Sequence, residues 1–114
     1  MVSPQQIAVR DRATARWQML MAGDFAKAYA FTTPTYKGTT SEAAFLVQFE
    51  KKPQWHGAEV LAVTCATPTS CVARVRIDLK ISLPRTKMDR ITTHDDEAWV
   101  FEDGQWWHSD NTRK

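Results

Sequence analysis

Residues 59–77 read EVLAVTCATPTSCVARVRI and contain the only two cysteines of the chain, Cys65 and Cys71. If the two face each other across an antiparallel pair, Val63 faces Ala73 and Leu61 faces Val75. All these residues then share one face, and it is the apolar face of both strands. The register implied by the sulfurs thus agrees with the register implied by hydrophobicity. The intervening ATPTS, with Pro68, is an ordinary length for a hairpin loop. Directly opposed residues bring their Cβ atoms close enough for a bridge, most easily at a non-hydrogen-bonded pair. The competing reading is two small, buried, reduced thiols. The register match favours a disulfide, and a disulfide implies an oxidising compartment. Because the closed loop is short, the bridge would stabilise the fold by only about 2 kcal/mol.

Outward from the hairpin, period-two alternation continues. Ala73, Val75, Ile77, Leu79, Ile81 and Leu83 alternate with Arg74, Arg76, Asp78, Lys80 and Ser82, which predicts a half-buried strand. EAWVF (97–101) predicts a third strand and QWWHS (105–109) a fourth. Asp103-Gly104 between them predicts a type I′ turn. RTKMDRITTHDD (85–96) reads as a long charged connection.

Toward the N-terminus the period is helical. Ser3 is a suitable N-cap, Pro4 fits the first helical position, and Gly23 ends the segment. Val9, Ala13, Trp17, Leu20 and Met21 form one apolar stripe, with Arg10, Asp11, Arg12 and Arg16 elsewhere. Asp24 can cap a second helix, FAKAYAF (25–31), which Pro34 stops. TPTYKGTT (33–40) reads as a loop. SEAAFLVQFEKK (41–52) predicts a third helix burying Phe45, Leu46 and Phe49, with Thr39–Glu42 a capping-box spacing and Ser41 a rival cap. The sum is α+β: one domain, with a helical part over 3–52 packed on a curved antiparallel meander over 55–110.

Composition agrees with an ordinary globular domain. The 114 residues are 43% hydrophobic and 25% charged, with a formal net charge of +2. That charge is too small and too scattered to argue for nucleic acid. No apolar run is long enough to cross a membrane. MVSPQQIAVRDR (1–12) has no apolar signal core, so the targeting segment of an exported protein would lie outside this sequence.

Taken together, RATARWQMLMAGDFAKAYAFTTPTYK, SEAAFLVQF and EAWVFEDGQWW resemble the NTF2-like superfamily, in particular small exported bacterial domains. The likeness spans nearly the whole chain. It implies a curved sheet wrapped around helices to leave a conical (cystatin-like) cavity. It also implies a choice among isomerase, cyclase or dehydratase activity, ligand binding, or partner binding, and a homodimer is frequent there. Such an analogy carries fold better than activity.

Candidate site residues follow from the hairpin. A two-residue turn pairs Phe101 with Trp106 and Trp99 with His108, and places Glu97 diagonally across from His108 on the same face. A histidine oriented by a carboxylate among aromatics can act as general base and acid, so His108 with Glu97, or alternatively with Asp95, is the candidate catalytic pair. The bland reading is a solvated strand end. Trp17, Tyr29, Tyr36, Trp55, Trp99, Phe101 and Trp106 are the candidate ligand-binding aromatics, each also an ordinary core residue. His56, His94 and His108 with Asp95, Asp96 and Asp110 lack metal-ligand spacing, so no metal is expected and no cofactor is implied. Arg74, Arg76 and Lys80 make a solvated outer face or a short basic strip. Val60, Ala62, Val100 and Trp107 share outward parity and would form a patch for a second subunit.

The sequence therefore favours a non-enzymatic domain of the cell envelope, periplasmic or otherwise exported, that binds a small apolar molecule or an envelope protein. The alternatives are a small acid–base enzyme using His108, and a purely structural module with a filled core.

Overall fold

The computed structural model describes residues 3–49, 54–80 and 90–109. Four helices precede four strands: α1 (Pro4–Ala22), α2 (Phe25–Tyr29), α3 (Pro34–Thr39), α4 (Glu42–Val47), β1 (Gln54–Thr67), β2 (Ser70–Lys80), β3 (Arg90–Glu102) and β4 (Gln105–Ser109). The strands form an antiparallel meander in the order β1-β2-β3-β4. The α+β class, with helices on one sheet, stands.

α1 starts where its cap chemistry says it should. The Ser3 hydroxyl accepts from the Gln6 amide at 3.2 Å, and the Gln6 side chain accepts from the Ser3 amide at 2.8 Å. Gly23 ends the helix at φ 83°, the left-handed geometry that glycine tolerates best. The buried stripe is Val9, Ala13, Arg16, Trp17 and Leu20, while Met21 is exposed. Asp24 precedes α2, but its side chain makes no capping bond.

The segment read as a loop contains α3. Thr33 caps it, accepting from the Tyr36 amide at 3.1 Å, and Pro34 occupies the first turn, the same device as Ser3–Pro4. Pro34 opens a helix as well as stopping one. Ser41, not Thr39, caps α4. That helix is shorter than predicted: after Val47 the Gln48 and Phe49 amides turn to carbonyls three residues back, and the Gln48 side chain donates to the Phe45 carbonyl at 3.0 Å. The remainder of its predicted span, residues 50–52, lies outside the described residues.

The hairpin register is the one predicted: Cys65 pairs with Cys71 in a disulfide, Cα atoms 3.9 Å apart, and Val63 opposes Ala73. Leu61 does not oppose Val75. A bulge between Val60 and Ala62 puts Val60 opposite Val75 and turns Leu61 out, 40% exposed. The same bulge removes Val60 from the predicted outward patch with Ala62, Val100 and Trp107, since Val60 is buried. β3 begins at Arg90, so residues 90–96 of the predicted charged connection are strand. Ile81, Leu83 and Asp110 lie outside the described residues. Asp103 at φ 50° and Gly104 at φ 76° make the type I′ turn, and Phe101–Trp106 and Trp99–His108 pair as predicted.

The core lies between α1 and one sheet face: Val9, Ala13, Trp17 and Leu20 against Val63, Ala73, Val75, Ile77, Trp99 and Trp106. The other sheet face carries ion pairs, Arg74–Asp96 at 3.1 Å and Arg76–Glu59 at 2.9 Å, so two of the predicted basic residues have acidic partners.

Candidate functional site

Glu97 projects from β3 toward α1 and is only 3% exposed. A bare carboxylate in that position is costly, and two donors from consecutive residues of α1 compensate it. Arg16 Nη1 donates to Glu97 Oε2 at 3.0 Å, and Trp17 Nε1 donates to the same oxygen at 2.8 Å. Oε1 of Glu97, Nε of Arg16 and Nε1 of Trp99 are buried without hydrogen-bond partners. The Trp99 indole N–H also favours the charged carboxylate as a weak, poorly aligned donor, outside full hydrogen-bonding geometry. Burial raises the Glu97 pKa, and Arg16 and Trp17 offset only part of that rise.

His108 enters from β4. Its amide donates to the Phe31 carbonyl at 2.7 Å, which fastens β4 to the segment after α2. Its ring packs edge-on against Trp99, centroids 5.7 Å apart. Burial, with Arg16 nearby, pushes its pKa well below the usual imidazole range, so it is neutral at pH 7.

These groups border a cavity of about 380 Å³ between α1, the end of α4 and the sheet. Its apolar wall is Trp17, Leu20, Phe49, Trp55 and Ile77, and its polar side is Arg16, Glu97 and His108, with Asp95 and Asp96 also in the lining. Trp17 and Trp55 meet edge to face at 5.4 Å, and Phe49 continues the aromatic wall 6.2 Å from Trp55. A larger groove of about 550 Å³ runs between α1 and β1 past Arg10, Met21 and Ala58, but apart from Trp17 its lining brings no buried polar side chain.

The structure thus gathers His108, Glu97, Trp17 and Trp55 around one space, with Trp99 buried beneath. Tyr29 and Tyr36 belong instead to a helical aromatic cluster around Phe45, and the Tyr29 hydroxyl donates to the Thr40 carbonyl at 2.6 Å. Phe101 and Trp106 lie at the opposite end of the molecule, beside Pro4 and Ala8. Glu97 bonds Arg16 and Trp17, and neither bond involves His108. Arg16 was placed off the apolar stripe, yet it stands seven residues after Val9 and four before Leu20. A charge on that stripe is the signal of a buried acid opposite. Among the described residues, no three His, Cys, Asp or Glu side chains are grouped to hold a metal. No described helix is long and apolar enough to cross a membrane.

The architecture, helices on an open four-stranded antiparallel sheet, recurs in SEC-C motif containing proteins. The one from Rhodopseudomonas palustris, solved in solution, superimposes with a TM-score of 0.66 at 11% identity, over 87% of this chain and 73% of that one. The one from Psychrobacter arcticus gives 0.53 at 20% identity, over 77% of this chain and 49% of its own. The chain therefore spans about half of the second protein, and at these identities the likeness concerns fold alone. No protein-family model matches the chain, and no curated protein matches it. These neighbours correct the NTF2-like resemblance. The residues that carried it, Trp17, Gly23, Asp103-Gly104 and the paired tryptophans, are packing and turn residues that any helix-then-meander fold can use.

Proposed function

We propose that this chain is a non-enzymatic binding module of an exported protein, and that it takes a small, largely apolar molecule into the cavity between α1, α4 and the sheet. One observation carries the reading: the cavity has an aromatic wall of Trp17, Phe49 and Trp55, while its buried carboxylate is already held by Arg16 and Trp17. A pocket of this size, with an aromatic wall facing a polar side that can orient the guest, has the form of a small-molecule site. The Cys65–Cys71 disulfide supports an oxidising compartment.

An acid–base enzyme is the second reading, favoured by the presence of His108 and Glu97 in one lining. Against it, a base needs an oriented partner and a pKa near the working pH. Here the carboxylate is paired with a guanidinium, and the imidazole is a weak base.

The test is a fluorescence titration with N-phenyl-1-naphthylamine, an uncharged apolar probe. Saturable one-to-one binding is expected, weakened about tenfold or more by Trp55→Ala, a loss of about 1.4 kcal/mol of aromatic contact. Circular dichroism of the variant controls for folding. Absence of saturable binding, or binding indifferent to Trp55, overturns the reading.

A further inference from the structure

We propose that the molecule this cavity takes carries a positive charge at its buried end: a primary or secondary amine on a flat apolar body. The proposal rests on the binding reading above and sharpens it.

The argument starts from an unused oxygen. Glu97 is at least nine-tenths buried and lines the cavity; both of its donors go to Oε2, and Oε1 has none. An occupant that brings no donor leaves that oxygen desolvated, which is costly for a carboxylate. The cavity also has a definite charge balance. Arg16 offsets Glu97, and Arg74 offsets Asp96. Asp95, in the same lining, forms no ion pair among the described residues. His108 is neutral. One negative charge is left over, so a monocation completes the balance, and a carboxylate ligand would meet Glu97 and Asp95 at close range.

The walls suit the same ligand. Tryptophan faces attract ammonium groups, and the Trp17–Trp55 pair stands beside the acids. Arg16 opposes a second cation, but its guanidinium is engaged at Oε2. An ammonium on Oε1 has Glu97 and Asp95 in its favour against that one repulsion.

Three ligands of one shape test this calorimetrically at low salt: 2-phenylethylamine, 2-phenylethanol and 3-phenylpropanoate. The amine is expected to bind about tenfold or more tighter than the alcohol, and the carboxylate weakest. The preference should narrow as salt screens the charge. Asp95 is exposed, so Asp95→Asn leaves the core intact; it should lower amine affinity by about threefold or more and narrow the preference for the amine over the alcohol. If the alcohol or the carboxylate matches the amine while N-phenyl-1-naphthylamine still binds, the charge proposal fails and the cavity reading survives. If the naphthylamine and all three ligands fail to bind, the cavity reading falls and takes this proposal with it.

Discussion

Glu97 and His108 face the same interior yet respond to acid in opposite ways. The raised Glu97 pKa means the folded chain holds that proton more tightly than the unfolded one. This contribution to stability is present below the ordinary carboxylate pKa and is lost as pH rises through the folded value. The depressed His108 pKa does the reverse: its contribution is intact above the ordinary imidazole pKa and is lost as pH falls toward the folded value. As pH falls below about 6.5, the unfolded imidazole takes up a proton that the folded one refuses until its depressed pKa is reached. Denaturant melts at stepped pH should therefore show His108→Gln losing less stability on acidification than the parent, by up to about 1.4 kcal/mol per pH unit. Equal slopes for the two proteins would show that His108 is free to titrate in the fold. At this scale the sequence was half legible. The turn at Asp103-Gly104 put Glu97 and His108 on one face, and Arg16 on the apolar stripe signals a buried acid, but nothing local names Glu97, 81 residues away, as that acid.

Among the elements, the disulfide hairpin was the most legible because two constraints, sulfur spacing and apolar period, agreed there. The Val60–Ala62 bulge was not, because a strand with Val60, Leu61, Ala62 and Val63 in succession offers two apolar periods and only packing chooses between them. Leu61 is the extra residue. Deleting it joins Val60 to Ala62, and the inward series Ala58, Val60, Val63, Cys65 then alternates without interruption. The deletion variant is expected to keep the disulfide and to stay within about 1 kcal/mol of the parent, because one exposed side chain and one local kink are all it removes. Thermal melting checks this, and loss of cooperative folding would show that the bend is needed to seat α1. The first half of β3 was unreadable for a different reason. Ile91 through Asp96 are all exposed, and β4 is too short to pair with them, so that stretch has no buried face to impose a period. In α3 the cue was present in Thr33–Pro34 and was outweighed by the reading of proline as a stop.

For the whole molecule, helix-then-meander order was enough to give the α+β class, while family membership was not, since the shared letters serve packing. One further property follows from how unevenly the sheet is fastened. At one tip stand the disulfide, the Gln6 side chain on the Val63 carbonyl at 2.9 Å, Gln5 on Thr67 and Pro68, and the Phe101 amide on Thr69 at 3.0 Å. At the other tip, where Trp55 pairs with Leu79 next to a second irregularity at Gly57, the strands are joined by exposed side-chain bonds, Thr92 Oγ1 donating to Asp78 Oδ1 at 2.8 Å and Arg76 pairing with Glu59. Exposed polar bonds hold a sheet end less firmly than a disulfide does, so the Trp55 end is expected to open first. Deuterium uptake should be slowest at the amides around Val63, Ala73 and Val75 and fastest near Trp55, Leu79 and Ile91; a flat profile along the strands would contradict this. Because Trp55 stands both at this tip and in the cavity wall, the rim of the cavity is expected to share in that opening while the disulfide end keeps its register.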